Sequence, residues 1–147
     1  DIQGHCEIGQ HVRLHSNVHI GQRSKVGDFV WIFPYVVLTN DPHPPSQTMD
    51  GCLIQEFAVV ATMSTVLPGR IVGRGALVGA MTLVREDVLD DTICVGNPGR
   101  NVGSTTKIRF SDTGKPVYPW RRHFHHGYPE EIVAKWRAEF PREGGEL

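Results

Sequence analysis

A six-residue hydrophobic period runs through this chain and leaves few folds open to it. Ile2, Ile8, Leu14, Ile20, Val26, Ile32 and Leu38 fall six apart without a miss, and Ile54, Val60, Val66, Val72, Val78 and Val84 resume the interval. Two residues before most of them stands a second small or β-branched side chain, as at Cys6, Val12, Val18, Ser24, Val30, Val36, Ala58, Ser64, Ala76 and Thr82. A helix cannot hold this set on one face, because a period of six drifts around a 3.6-residue turn. A strand of period two can, if a corner interrupts it every six residues. Gly9, Gly21, Gly27, Gly73 and Gly79 follow the aliphatic residue directly and read as part of those corners. Three hexads close one triangular coil, which sets Ile8 against Val26, Leu14 against Ile32 and Val60 against Val78. Coils about 4.8 Å apart pair as parallel strands. The thirteen hexads make a little over four coils, and after Val84 the register breaks at Arg85–Asp91. The fold expected is all-β: a parallel β-helix over 1–103.

Composition agrees with short strands and many turns. There are 17 Val and 9 Ile against 8 Leu, with 16 Gly and 10 Pro, a bias of strands and corners rather than helices. With 15 basic and 16 acidic residues the net charge is −1, so the basic excess of a nucleic-acid or membrane-surface binder is missing. No apolar run reaches the length of a membrane span, no signal peptide is read, and the opening on Asp1 reads as a trimmed start. Cys6, Cys52 and Cys94 form neither a disulfide framework nor a Cys-x-x-Cys pair; a cytoplasmic, reducing setting is expected.

Two segments escape the period. Between Leu38 and Ile54 lies a stretch with prolines at 42, 44 and 45, which cannot join a ladder. It is expected as an extended loop, 39–53, thrown out from one corner, and long loops in regular folds usually carry function. Beyond the solenoid, 104–147 is expected as a hairpin turning at Ser111–Gly114, then a helix from Pro129 with Ile132, Val133, Trp136 and Phe140 on one face. That helix is expected to cover apolar surface of the β-helix.

Leu38-Thr-Asn-Asp-Pro-His-Pro-Pro-Ser46 resembles the loop motif of hexapeptide-repeat acetyltransferases that modify nucleotide-linked amino sugars in surface-polysaccharide (lipopolysaccharide) synthesis. Val78–Val84 followed by Val95-Gly-Asn-Pro-Gly-Arg100 resembles the closing coils of the wider acyltransferase superfamily. The resemblance implies left-handed winding, a homotrimer, acetyl-CoA as co-substrate in a groove between adjacent prisms, and a sugar or nucleotide-sugar amine or hydroxyl as acceptor near the loop. A prism without a concave wall needs a neighbour to make a pocket.

His43 is the candidate general base, since attack on a thioester by an amine or hydroxyl releases a proton and His titrates near working pH. Asn40 and Asp41 are the candidate acceptor-binding residues, through a hydrogen bond to a sugar hydroxyl and attraction of an ammonium group. Arg85 and Arg100 are the candidates for the CoA phosphates, with Gly79 and Ala80 admitting pantetheine close to the backbone. His5, His11, His15 and His19 lack the five-residue spacing of the zinc-binding pair in gamma-class carbonic anhydrases, which share the solenoid, so no metal is expected. A carbonic-anhydrase-like metalloenzyme and a non-catalytic scaffold are the alternatives.

Overall fold

The computed structural model describes residues 1–141; the last residues of the expected C-terminal unit, 142–147, lie outside them. The period of six becomes a solenoid with three flat sides. The first side stacks β1 (Glu7–Ile8), β4 (Lys25–Val26), β7 (Leu53–Ile54) and β10 (Ile71–Val72). The second stacks β2 (Arg13–Leu14), β5 (Trp31–Ile32), β8 (Val59–Val60), β11 (Leu77–Val78) and β13 (Thr92–Val95). The third stacks β3 (His19–Ile20), β6 (Val37–Leu38), β9 (Thr65–Val66) and β12 (Leu83–Val84). Every one of these pairings is parallel, and the expected partners meet: Ile8 with Val26, Leu14 with Ile32, Val60 with Val78. Backbone N–H groups donate from coil to coil, as Arg13 does to Val30 at 2.9 Å and Trp31 to Ala58 at 3.0 Å. Ile20, Ile32, Leu38, Ile54, Val60, Val66, Val72, Val78 and Val84 are sealed inside at 0% exposure. Burying such a side chain is worth about 1.5–3 kcal/mol, and the single column of them is the core of the solenoid.

The left-handed residue of a corner stands three positions before the aliphatic residue, at His5, His11, Asn17, Arg23, Phe29, Tyr35, Phe57, Met63 and Met81, with φ between 55° and 63°. Glycine after the aliphatic residue serves close approach instead. A Cβ on Gly27 would sit 2.7 Å from the backbone N of Glu56 in the next coil. The register breaks at Arg85–Asp91, as the spacing implies, and the solenoid continues through it. It completes a fifth coil whose first side is two residues short: Val88 pairs with Val72, then Ile93 and Cys94 pair with Leu77 and Val78. The Asp87 carboxylate takes the Ile71 N–H at 2.9 Å, so a side chain substitutes for the missing backbone acceptor. β14 (Arg100–Ser104) then turns back antiparallel on β13.

The chain divides into two compact units, the second beginning at Thr106. In that unit Arg109 bridges Pro116 in an antiparallel hairpin, and Phe110 N–H bonds Lys115 O at 2.9 Å. Helix α1 (Glu130–Glu139) buries Val133 and Trp136. Trp136 meets Trp120 edge-on at 5.8 Å and Tyr128 at 4.8 Å, while Arg121 holds Glu139 through both guanidinium and carboxylate edges. Ile132 and Phe140, expected on the same face, are half-buried.

Candidate active site

Leu38 ends the third side and Leu53 begins the next strand of the first, so the proline-rich segment leaves at the corner between those sides. Its root is tied down. Thr39 N–H and Oγ both donate to Val66 O, at 3.0 and 2.7 Å. Asp50 N–H donates to Asn40 O at 2.8 Å, closing the neck, and Gly69 N–H donates to Asp50 O at 3.0 Å. Beneath the neck lies the buried Cys52 thiol, 3.2 Å from Thr39 O and 3.6 Å from Val66 O. Burial pushes that thiol up to about 12, the largest effect, opposed by its hydrogen bond to Thr39 and by Arg70. Cys52 is therefore a neutral anchor for the loop rather than a nucleophile.

On this root the expected residues take distinct places. His43 is exposed in the loop. Asn40 is half-buried, its amide nitrogen 2.9 Å from Met49 Sδ and its side chain against the Gly21 backbone. Asp41 is half-buried, and its Oδ1 is the buried side-chain oxygen left without a hydrogen-bond partner among the described residues. An ionised carboxylate is acceptor-only, so this atom is satisfied only when a donor reaches it.

Arg85 stands exposed at the same corner as the loop root, directly after β12. In the stacking order Thr39, Leu67 and Arg85 succeed one another, placing Arg85 about 10 Å along the prism from Thr39 at the coil spacing. Arg100 is exposed at the start of β14, 4.0 Å from Glu86, the neighbour of Arg85. The Gly96–Gly99 turn brings it there: Gly99 N–H donates to Leu83 O at 2.8 Å and Leu83 N–H to Gly96 O at 3.0 Å. Both arginines thus gather at the C-terminal end of the solenoid. Gly79 and Ala80 lie across the third side, at the corner between the second and third sides. A Cβ on Gly79 would meet the Val95 side chain of the next coil, Cγ1 at 2.7 Å, so the corner is closely packed there whatever else passes.

A shallow groove of about 430 Å³ lies on a different corner, lined by Gly27, Asp28, Glu56, Arg74 and Asp90. Its polar groups are committed to the fold: Arg74 pairs with Glu56 at 2.8 Å, and Asp90 and Asp28 accept the backbone N–H of Arg74 and Gln10. Among the described residues no three His, Cys, Asp or Glu side chains are grouped to hold a metal. His11 stacks on Phe29 at 5.2 Å and His15 on Phe33 at 4.8 Å, while His19 reaches Asp1 at 3.1 Å. No described helix is long and apolar enough to cross a membrane.

Thr39, Asp50 and Cys52 are the site-supporting residues that sequence reasoning passes over. Their partners lie on other coils, and the only sequence trace is that Cys52 occupies the inward position two before Ile54.

No family model matches the chain. Among curated proteins it is 32% identical over 149 residues to serine acetyltransferase 4 of Arabidopsis thaliana, covering 96% of this chain and 38% of that protein. It is 33% identical over 64 residues to dTDP-3-amino-3,6-dideoxy-alpha-D-galactopyranose 3-N-acetyltransferase of Aneurinibacillus thermoaerophilus, covering 41% of this chain and 33% of that protein. The chain thus spans well under half the length of these relatives. In fold it matches the serine acetyltransferase of Neisseria gonorrhoeae with a TM-score of 0.66 at 22% identity, over 74% of this chain and 41% of that one. It also matches a hexapeptide-repeat acetyltransferase of Vibrio cholerae complexed with acetyl-CoA, with a TM-score of 0.62 at 22% identity, over 69% and 61%. A six-residue period wound into stacked three-sided coils, the loop interrupting them and these likenesses converge: the chain belongs to the hexapeptide-repeat acetyltransferase family and has its left-handed β-helix fold.

Proposed function

We propose that this chain carries the acyl-transfer site of an acetyl-CoA-dependent acetyltransferase whose acceptor is an amine or hydroxyl of a sugar or nucleotide-sugar, as in surface-polysaccharide synthesis. The site lies between subunits of a homotrimer in the cytoplasm. The observation that carries this reading is the loop anchored at the corner between third and first sides, with His43 exposed on it and Arg85 on the same corner. Curated relatives named for serine and for amino-sugar acetylation support the chemistry. So does a similar fold complexed with acetyl-CoA.

In the reaction the acceptor nitrogen or oxygen attacks the thioester carbonyl, a C–N or C–O bond forms, and the C–S bond breaks to release CoA. His43 takes the proton the acceptor loses. Asp41 offers its unpaired oxygen to a donor on the acceptor, and an ammonium group makes the stronger, charge-assisted bond. Asn40 holds the acceptor's hydroxyl groups from the loop neck. Arg85 and Arg100 meet the CoA phosphates, and Gly79 and Ala80 leave the pantetheine arm room beside the backbone.

The test is thiol release from acetyl-CoA against a panel of amino sugars, nucleotide-sugars, serine and hydroxyl acceptors. Turnover is expected with amino-sugar or nucleotide-sugar acceptors, and His43→Ala is expected to lower kcat by about 10²-fold or more. Turnover confined to serine would overturn the acceptor assignment, and an unchanged kcat in His43→Ala would remove it as the base.

A further inference from the structure

Two ladders of rings run along the solenoid, and they end differently. At the corner between first and second sides His11 stacks on Phe29 at 5.2 Å with the planes 8° apart, and Phe29 on Phe57 at 5.0 Å and 6°. Arg74 then lies over the Phe57 ring at 5.6 Å, and Phe57 is 7% exposed. Each ring of this ladder is covered by the next coil, so its faces are spent on the fold.

The second ladder stands on the outer face of the second side. His15 stacks on Phe33 at 4.8 Å with the planes 13° apart. Trp31 lies beside Phe33 at 5.8 Å and 21°, and the Arg13 guanidinium covers Trp31 at 4.6 Å. The column continues through Ala61 and Gly79, because Leu14, Ile32, Val60 and Val78 succeed one another in register. His15 takes the face of Phe33 towards the first coil, so the opposite face is turned to the coil of Ala61. A methyl group, then a hydrogen, stand on the coils where the other ladder has Phe57 and Arg74. Trp31 and Phe33 thus form a half-buried ring platform above a step of one coil rise, about 4.8 Å, which one planar ring fills in contact with Phe33. Residues 29–40, 57–69 and 75–84 contain no Asp, Glu, Lys, Arg or His, so no carboxylate of these runs repels an anion there. Over its first four coils the second side carries charged side chains only at Arg13 and, when protonated, His15.

We infer that the Trp31–Phe33 platform and the step at Ala61 are a subsite for a nucleoside diphosphate: the base stacks on Phe33 over Ala61, and Arg13 meets the diphosphate. The inference rests on the acetyltransferase reading for its place in the reaction, and there it narrows the acceptor to a nucleotide-linked sugar. A flat ring face beside a guanidinium matches a flat base joined to an anion. Stacking on an aromatic side chain serves any base, since every base has a π-face, and a guanidinium pairs phosphate oxygens through a fixed fork of donors. Two nucleotides enter the proposed reaction, that of the acceptor and that of CoA. Arg85 and Arg100 gather at the C-terminal end of the solenoid, whereas the platform belongs to its first two coils. The acceptor's nucleotide is therefore the one assigned to it.

Isothermal titration calorimetry on the whole chain tests this, with UDP, dTDP, uridine, pyrophosphate and 3′,5′-ADP as titrants. UDP and dTDP are expected to bind, and pyrophosphate to bind more weakly. Phe33→Leu keeps an apolar side chain without a ring, and Ala61→Phe fills the step as Phe57 fills its counterpart. Each is expected to weaken UDP by about 10-fold or more and to leave 3′,5′-ADP, the nucleotide of CoA, as in the wild type. Opposite changes in size with one outcome separate the subsite from a folding defect, and far-ultraviolet circular dichroism of both is expected unchanged. Arg13→Gln is expected to weaken UDP but not uridine, and His11→Ala, on the closed ladder, to bind UDP as the wild type does. A wild type that does not bind UDP, pyrophosphate bound as tightly as UDP, or folded variants that keep full affinity for UDP would each overturn the inference. Variants that lose 3′,5′-ADP in place of UDP would overturn it too, by giving the platform to CoA. Acetyl transfer is read on the same samples. Transfer to a free amino sugar as fast as to its nucleotide-linked form would remove the subsite and leave the acetyltransferase reading standing. UDP bound at the platform with silence towards every acceptor would remove that reading and leave the subsite.

Discussion

Single residues in this molecule are constrained by the coil above and the coil below, more than by their neighbours in sequence. Ile32 lies at 0% exposure between Leu14 and Val60, so Ile32→Ala removes contacts in two directions. It is expected to cost about 2–5 kcal/mol in urea unfolding; a loss under about 1 kcal/mol would mean the column is loosely packed. The buried thiol and phenol make a different prediction. Burial raises Cys52 from 9.0 to about 12 and Tyr118 from 10.0 to about 12. Folded, both hold their protons where the unfolded chain would release them. Their contribution is complete below about pH 9 and is lost as pH rises toward 12, by up to about 1.4 kcal/mol per pH unit for each group. Thermal unfolding at pH 7, 9 and 10.5 is expected to show stability falling above pH 9, less steeply in Cys52→Ala; identical slopes for the two proteins would contradict it.

At the scale of the element, a two-residue strand is too short to exist by itself and is set entirely by register. This is why so much of the fold can be read from spacing. Ile8 and Val26, like Val60 and Val78, needed only their intervals to be placed on one side, and the ejected loop betrays itself because Leu38 and Ile54 stand sixteen apart, ten more than a hexad. What spacing does not carry is the identity of substitutes. The short fifth coil persists because Asp87 replaces a backbone acceptor, and no periodicity reports that a carboxylate will do so. Nor does residue type report the corner conformation, which Phe29 and Met81 adopt. Their residue types argue against that conformation, and the coil enforces it. The hand of the winding is absent from the period altogether, since mirror-image coils share one spacing. Of the candidate site, the loop is legible in its prolines and in the break of the period, while the neck beneath His43, Asn40 and Asp41 depends on Val66 and Gly69 far along the chain.

Over the whole molecule, the balance of 15 basic and 16 acidic residues conceals a strong partition. Three coils carry their charge on one side and keep two sides free of it, while the loop and Arg85 border the charge-free third side. In the proposed function the loop holds the acceptor and the solenoid serves as its frame. Shortening the loop tests this directly. Replacing residues 41–49 with a two-glycine link leaves the Thr39, Asn40 and Asp50 root in place and touches no core position. Transfer of labelled acetyl from acetyl-CoA to an amino-sugar acceptor is then measured against the intact chain. The account predicts transfer by the intact chain and its loss, by about 10²-fold or more, in the shortened chain, which still binds acetyl-CoA. Equal transfer by both chains would contradict it.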